Sequence, residues 1–460
     1  MTIFSTKKPT LEAMVISQAT HYRLLLLLAV FLCLGQATRA QDWVRTGTGL
    51  GSESKPRIAV ADFAARMEAA KNHSGLFTQV VRDDLQFSGI VDLVSPSFYP
   101  TPAPTVPAEL KNLAWTEQPI NANLVAFGNL SEATEVEIQA WLYDVRSPSN
   151  QAVIGKIYRG APTDPQVRKF AHQFADEIIS RLSGGLPGIA STQIAFVSSR
   201  SGTKEIWVMD YDGANQRPLT SLRTISLTPR WSPDATRIAF TCFEPANGIR
   251  SPQICMYSMD AGKVISFPRY RGTNSAPSWS PDGSQLIFSS SMLGNPELFV
   301  TDANGGRPKR LTFSNGANTS PAWNPKTGQT VVFVSDRGGI PKLFSMNADG
   351  TNSAEIDVPD KGYLIDPAWA PNGQLLCFSW RRPEGNYDLY LMEAATHQIV
   401  ELTRDSGRNE RPSWAPDGRH IVFESTRGGT RQIWVMLADG SQAHQLTTQG
   451  HNESPNWSPR

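Results

Sequence analysis

Cysteine is scarce. There are four in 460 residues and none in C-x-x-C spacing, which excludes a zinc knuckle and a dithiol redox motif. No charge sign dominates: 43 Lys and Arg face 42 Asp and Glu, with no long basic run. That balance argues against a protein whose main task is gripping nucleic acid. The H-E-x-x-H, G-x-S-x-G and Walker sequences are missing, and with them the usual signatures of zinc peptidases, α/β-hydrolases and nucleotide-binding loops. Gly47, Gly49 and Gly51 resemble a phosphate loop only superficially, because they precede a predicted strand instead of following one. The seven histidines are scattered. His444 and His451 share the last repeat as candidate metal ligands, but have no third partner nearby. No cofactor and no catalytic group is expected.

Long hydrophobic runs are also missing, apart from residues 24–34. That run is 11 residues long, against about 20 for a spanning helix. Lys7, Lys8, His21 and Arg23 precede it, Met14 offers a second start, and Thr38-Arg39-Ala40 follows. The pattern is that of an export signal cut after Ala40. Its removal leaves 39 basic against 41 acidic side chains on an exported chain that does not insert in a membrane. Charged residues are 18% and hydrophobic residues 40% of the whole, a composition that folds. Residues 41–56 read as an exposed leader.

Residues 57–182 read as a small α/β domain with a mixed sheet. Strands are predicted at 57–63, 90–94 and 151–159, and a hairpin at 124–128 and 134–144. Helical spacing runs over 74–87 and through Val167, Phe170, Phe174 and Ile178, capped by Thr163 or Asp164. Residues 96–107, with five prolines, are expected to form an exposed loop, and 183–188 a linker.

From residue 189 onward the chain repeats. Pro-x-Trp-[Ser/Ala/Asn]-Pro occurs at Trp231, Trp279, Trp323, Trp369, Trp414 and Trp457, with steps of 48, 44, 46, 45 and 43 residues. An Asp-Gly or Asn-Gly turn follows most copies, then three β-rich runs, giving four strands in about 45 residues, the signature of propeller blades. The second-strand run starts near Gln193, Arg237, Gln285, Gln329, Gln374 and Arg419. The first has no tryptophan before it, and the last tryptophan has no run after it. The two incomplete pieces complement each other. The expected architecture is an α/β N-terminal domain followed by an all-β six-bladed propeller (189–460) closed by the C-terminal strand. Each tryptophan sits one fixed step into a strand and is expected to pack blade against blade. Cys242 and Cys255 fall in neighbouring strands, where an exported chain permits a disulfide; two buried thiols in separate rows are the alternative. Cys377 reads as core.

In such blades the links between blades and the loops between second and third strands share one face. Tyr270, Arg271, Asn274, Asn318, Thr319, Arg337, Asn409, Arg427 and Asn452 collect there, with Arg200, Arg381 and Arg382 beside them. Arg and Tyr are common anchors for a folded protein partner.

The leader, the domain opening Arg57-Ile58-Ala59-Val60-Ala61-Asp62-Phe63 and six tryptophan repeats ending at Trp457-Ser458-Pro459 resemble the TolB family, the periplasmic propeller proteins of the Tol–Pal system. The resemblance implies a non-enzymatic adaptor in the periplasm. One propeller face would bind the peptidoglycan-associated lipoprotein Pal, and the N-terminal segment, here Asp42, Trp43, Val44 and Arg45, would bind the inner-membrane protein TolA. Together they would support outer-membrane integrity and constriction during cell division. Residues 267–271 and Asn318-Thr319 match family positions on the Pal-binding face. The competing readings are an exported glycan lyase or hydrolase, and a small-ligand or glycan sensor, either of which would use the propeller channel.

Overall fold

The computed structural model describes residues 55–460, except 150, 247, 248, 360, 361 and 384. The export signal, most of the leader and Asp42 to Arg45 lie outside the described residues.

The α/β domain consists of β1 (Arg57–Val60), β2 (Ala64–Ala65), α1 (Lys71–Ser88), β3 (Asp92–Leu93), α2 (Asn112–Thr116), β4 (Leu124–Glu132), β5 (Val136–Asp144), β6 (Ala152–Gly160) and α3 (Asp164–Leu182). The sheet order is β3-β1-β4-β5-β6, with β2 also on β4. β1 runs parallel to β3 and β4, and β4, β5 and β6 are antiparallel. Helix spacing decides the first core. Phe77, Val81 and Leu85 of α1 and Val167, Phe174 and Ile178 of α3 bury one stripe each against Ile58, Val60 and Ile138 of the sheet. Thr163 is the residue before α3, but its side chain makes no cap bond. Gly128 is required where Phe63 crosses β4, since a Cβ there would lie 2.0 Å from the Gln139 carbonyl oxygen.

The proline-rich segment differs from the expected exposed loop. It folds over the other face of the sheet, where Tyr99, Ala103 and Leu110 pack with buried Trp115 of α2 on Val125 and Phe127. The Tyr99 hydroxyl donates to the Val94 carbonyl (2.7 Å) and accepts from the Val60 amide (3.0 Å). Proline removes amide donors, so a segment built from it can cover a sheet with few unpaired groups. Just past the 183–188 segment, the chain is tied back to α3. The Asp176 carboxylate accepts from the Ala190 and Ser191 amides (2.8 and 3.0 Å), joining α3 to the first propeller residues.

The propeller has six four-stranded antiparallel blades. The inner strands of blades I to V are Ser226–Trp231, Asn274–Trp279, Asn318–Trp323, Tyr363–Trp369 and Asn409–Trp414. Blade VI closes the ring: Asn452–Trp457, the last strand of the chain, pairs with Gln193–Ser198. Closure leaves no open edge at the seam. Every inner strand carries one irregularity. The third residue of five strands and the fourth of blade IV (Thr228, Ala276, Ser320, Asp366, Arg411 and Ser454) has φ of 49–54°, and the register shifts there. A proline follows each. These are β-bulges, which bend the strand around the channel. Side chains of the preceding blade bond several bulges: Thr241, Ser379 and Glu424 accept from the amides of Ala276, Arg411 and Ser454.

In blade I, Cys242 and Cys255 form a disulfide across neighbouring strands, with Cα atoms 5.9 Å apart. They are diagonal rather than opposed, because Cys242 faces Gln253 and Cys255 faces Phe240 in the ladder. This decides between the two readings the sequence left open. Cys377 is buried and free, and burial pushes its thiol well above its ordinary range.

The α/β domain docks on blades V and VI. The Phe87 ring stacks on His420 (4.4 Å) and meets His444 edge-on (5.1 Å), and its carbonyl bonds His420 Nε2 (3.0 Å). Beside it, Asp84 binds His172 Nδ1 (2.8 Å) and the Tyr211 hydroxyl. Blade V is adapted for this. Ala415 stands where blades I and II have Ser232 and Ser280, so Asp417, the equivalent of Asp234 and Asp282, holds His420 Nδ1 (2.6 Å) instead of a serine.

Candidate partner-binding face

Chain direction defines two mouths of the channel. Each inner strand runs from an inter-blade link to a tryptophan turn. The links and the second-to-third-strand loops therefore share one mouth, and the tryptophan turns the other. Among the described residues, the docking contacts of the α/β domain named above fall at the turn mouth and none at the link mouth. The blade I hairpin, paired out to Ala246 and Ile249, extends it by four residues per strand beyond the six-residue strands of blade II.

The asparagines among the candidates do not face outward. Asn274, Asn318, Asn409 and Asn452 are each 0% exposed. Each opens an inner strand and donates to a third-strand side chain of the preceding blade: Gln253, Glu297, Asp388 and Gln432 respectively. A threonine two residues past the fourth strand (Thr312, Thr403 or Thr447) bonds the same group in three cases. Against burial, the bonds from Thr312, Ser314, Arg310 and Asn318 hold the Glu297 carboxyl below its ordinary value. These asparagines fix the links in place, and a partner would meet what they position.

They position arginines. Arg337 Nε donates to Ser335 Oγ (2.9 Å), its Nη2 to Asn318 (3.1 Å), and its guanidinium lies 4.3 Å over Phe344. Arg427 repeats this with Ser425, Asn409 and Trp434, and Arg200 with Ser198 and Trp207. Arg382 stacks on Trp380 and Arg381 on Tyr363. Stacked guanidiniums lose less freedom on binding than free ones.

Tyr270 is half-buried. It stacks on Phe288 (5.4 Å) and donates to the Gly306 carbonyl (3.0 Å), which leaves Arg271 as the exposed end of that link. Thr319 is half-buried on the inner strand of blade III.

The strongest feature of this mouth was not among the sequence candidates. Beyond the linker residue Leu186, the exposed large hydrophobic residues of the propeller, among the described residues, are Ile225 (43%), Leu293 (65%), Phe313 (76%) and Tyr363 (38%). Ile225 and Phe313 lie in links, Leu293 in a second-to-third loop and Tyr363 at the first position of an inner strand, so all are at the link mouth. Arg310 lies 4.5 Å over the Phe313 ring. A charged network lies deeper. Glu424, 1% exposed, pairs with Arg431 (2.9 Å) and Arg411 (3.4 Å). Arg431 also reaches Glu410 and Glu453, which hold Arg408 and Lys204. The one sequence signal for it is Asn-Glu opening the last two inner strands, where blades II and III have Asn-Ser and Asn-Thr.

His444 and His451 are not brought together, since the first sits at the turn mouth and the second in a link. The tryptophans pack between blades and also face the channel. Five of the six are under 10% exposed, yet all six line a cavity of about 430 Å³ at the turn end of the channel.

The structure is thus a closed six-bladed propeller with an α/β domain on its turn mouth and arginines and exposed apolar side chains on its link mouth. A family model described as the TolB beta propeller domain matches residues 181–364 and 356–460, and one described as the TolB amino-terminal domain matches 49–151. The chain belongs to the TolB family. Relatives described as Tol-Pal system protein TolB, from Bordetella pertussis and Bordetella bronchiseptica, are each 29% identical over 442 residues, 95% of this chain and 95% and 94% of theirs. The crystal structure of TolB from Acinetobacter baumannii superposes with a TM-score of 0.74 at 25% identity, covering 89% of this chain and 98% of that one.

Proposed function

We propose that this chain is a non-enzymatic periplasmic adaptor of a Tol–Pal envelope complex. Its link mouth binds a Pal-like lipoprotein, and Asp42, Trp43, Val44 and Arg45 bind a TolA-like inner-membrane protein. In that role it supports outer-membrane integrity and constriction during division. The observation that carries the reading is the gathering of Ile225, Leu293, Phe313 and Tyr363 on the mouth the α/β domain leaves free. Exposed apolar side chains among stacked arginines are the composition of a protein-binding patch. Tol-Pal naming of the Bordetella relatives supports the choice of partner. Arg271, Arg337 and Arg427 are the polar contacts, and the buried asparagines hold their links. Hydrogen exchange with and without the soluble Pal-like domain tests this. Protection is expected at residues 222–226, 291–295 and 311–319. Protection confined to the tryptophan turns contradicts it.

A further inference from the structure

We propose that the turn end of the channel is a second binding site, for a small zwitterion of dipeptide size carrying a free carboxylate and a free ammonium group. The cavity there is about 430 Å³, within the range of small-molecule sites. Ser278, Ser320, Ala322, Ala368 and Ser413 make much of its wall small, and the tryptophan and proline rings make it apolar. Two charges interrupt that wall. Arg230 comes from blade I and Asp366 from blade IV, three blades apart in a ring of six, so they oppose each other across the channel. Each feels the other's charge.

Among the described residues neither makes a charge-paired hydrogen bond, although the nearby Arg411 charge also favours the Asp366 carboxylate. The Arg230 guanidinium hydrogen-bonds, among the described residues, only the carbonyl of its neighbour Pro229 (3.0 Å). Asp366 has a long contact from the Ser379 hydroxyl (3.4 Å) and the Arg411 backbone, while the Arg411 guanidinium is committed to Glu424 and Ser454. Burial lowers Arg230 to about 10 and raises Asp366, as expected for charges waiting on a counter-charge.

Blade I thus offers a guanidinium for a carboxylate, and blade IV, on the far wall, offers a carboxylate for an ammonium. A dipeptide carries both groups, one at each end.

The test is titration of the full chain with L-alanyl-L-leucine, followed by tryptophan emission and calorimetry. Saturable binding below about 10 mM is expected, weakened at least about tenfold by N-acetylating the peptide or amidating its C-terminus. Arg230→Gln and Asp366→Asn should each remove it, and Arg230→Lys should keep it in weakened form with an unchanged near-ultraviolet dichroism spectrum. No saturable change, or equal binding of the blocked peptides, overturns the proposal. Binding of the Pal-like domain at the other mouth is read separately and does not depend on the outcome.

Discussion

The six tryptophans occupy equivalent positions but should not be equivalent in energy. Trp457 belongs to the closing strand. Its ring is 4% exposed, packs with Ile189, Ala190 and Ile194, and its indole donates to Thr192 Oγ1 (2.7 Å), 265 residues earlier. An aromatic of this size buries roughly 150–250 Å², an upper bound of about 4–6 kcal/mol. Truncation of such a core residue to alanine costs about 3–5 kcal/mol. Trp369 is half-buried and its indole lacks an acceptor. It has less area to lose and no hydrogen bond, which is worth about 1 kcal/mol. Trp457→Ala should therefore lower stability by about 1–2 kcal/mol more than Trp369→Ala. Urea unfolding followed by circular dichroism reads the difference as separated midpoints at similar slope. Midpoints that coincide, or Trp369→Ala being the costlier, would refute the argument that ring closure concentrates stability at the seam.

Three further outcomes follow. At the domain junction, Asp84 raises His172 against the burial of the ring, and burial raises Asp84 itself. Both shifts stabilise the protonated forms, so the junction should weaken as pH rises from below about 6.5 through the raised His172 value; Asp84→Asn should flatten that dependence in thermal melts. Reducing Cys242–Cys255, which closes a 13-residue separation, should cost up to about 3 kcal/mol, seen as a lower unfolding midpoint that Cys242→Ala reproduces. Glu424→Gln leaves Arg411 and Arg431 without their buried partner. Since both arginines are about a third exposed, the loss should be about 1–3 kcal/mol, and Glu410→Gln at the rim of the network should cost less in the same assay.

Much of this architecture is legible in the sequence because each blade repeats its own signal. The Trp-Ser-Pro turn is local, so its recurrence every 43–48 residues marks the inner strands directly, and the two unmatched pieces reveal the closure. The helices α1 and α3 show in the spacing of Phe77, Val81, Val167 and Phe174. What is hidden depends on residues of different type or distant position. The bulge residues are Thr, Ala, Ser, Asp, Arg and Ser, and share a backbone angle but no chemistry. Asn318 and Asn409 look like loop residues and prove to be buried because their partners, Glu297 and Asp388, lie a whole strand pair away. Phe313 and Leu293 look like strand ends and prove to be largely exposed in the fold. Phe87 meets His420 across 333 residues, a contact no local pattern announces. The charged pair in the channel was equally silent, since Arg230 and Asp366 sit in different copies of one repeat.

The central claim is that the link mouth is the partner surface. Calorimetric titration of residues 41–460 with the soluble domain of the cell's own Pal-like lipoprotein tests it most directly, using wild type, Phe313→Asp with Arg271→Ala, and the turn-mouth variant Pro281→Ala. Saturable one-to-one binding is predicted, weakened at least about tenfold by the link-mouth pair and unchanged by the turn-mouth substitution. Undiminished binding by the link-mouth pair, or no binding to a folded Pal-like domain at all, would contradict it.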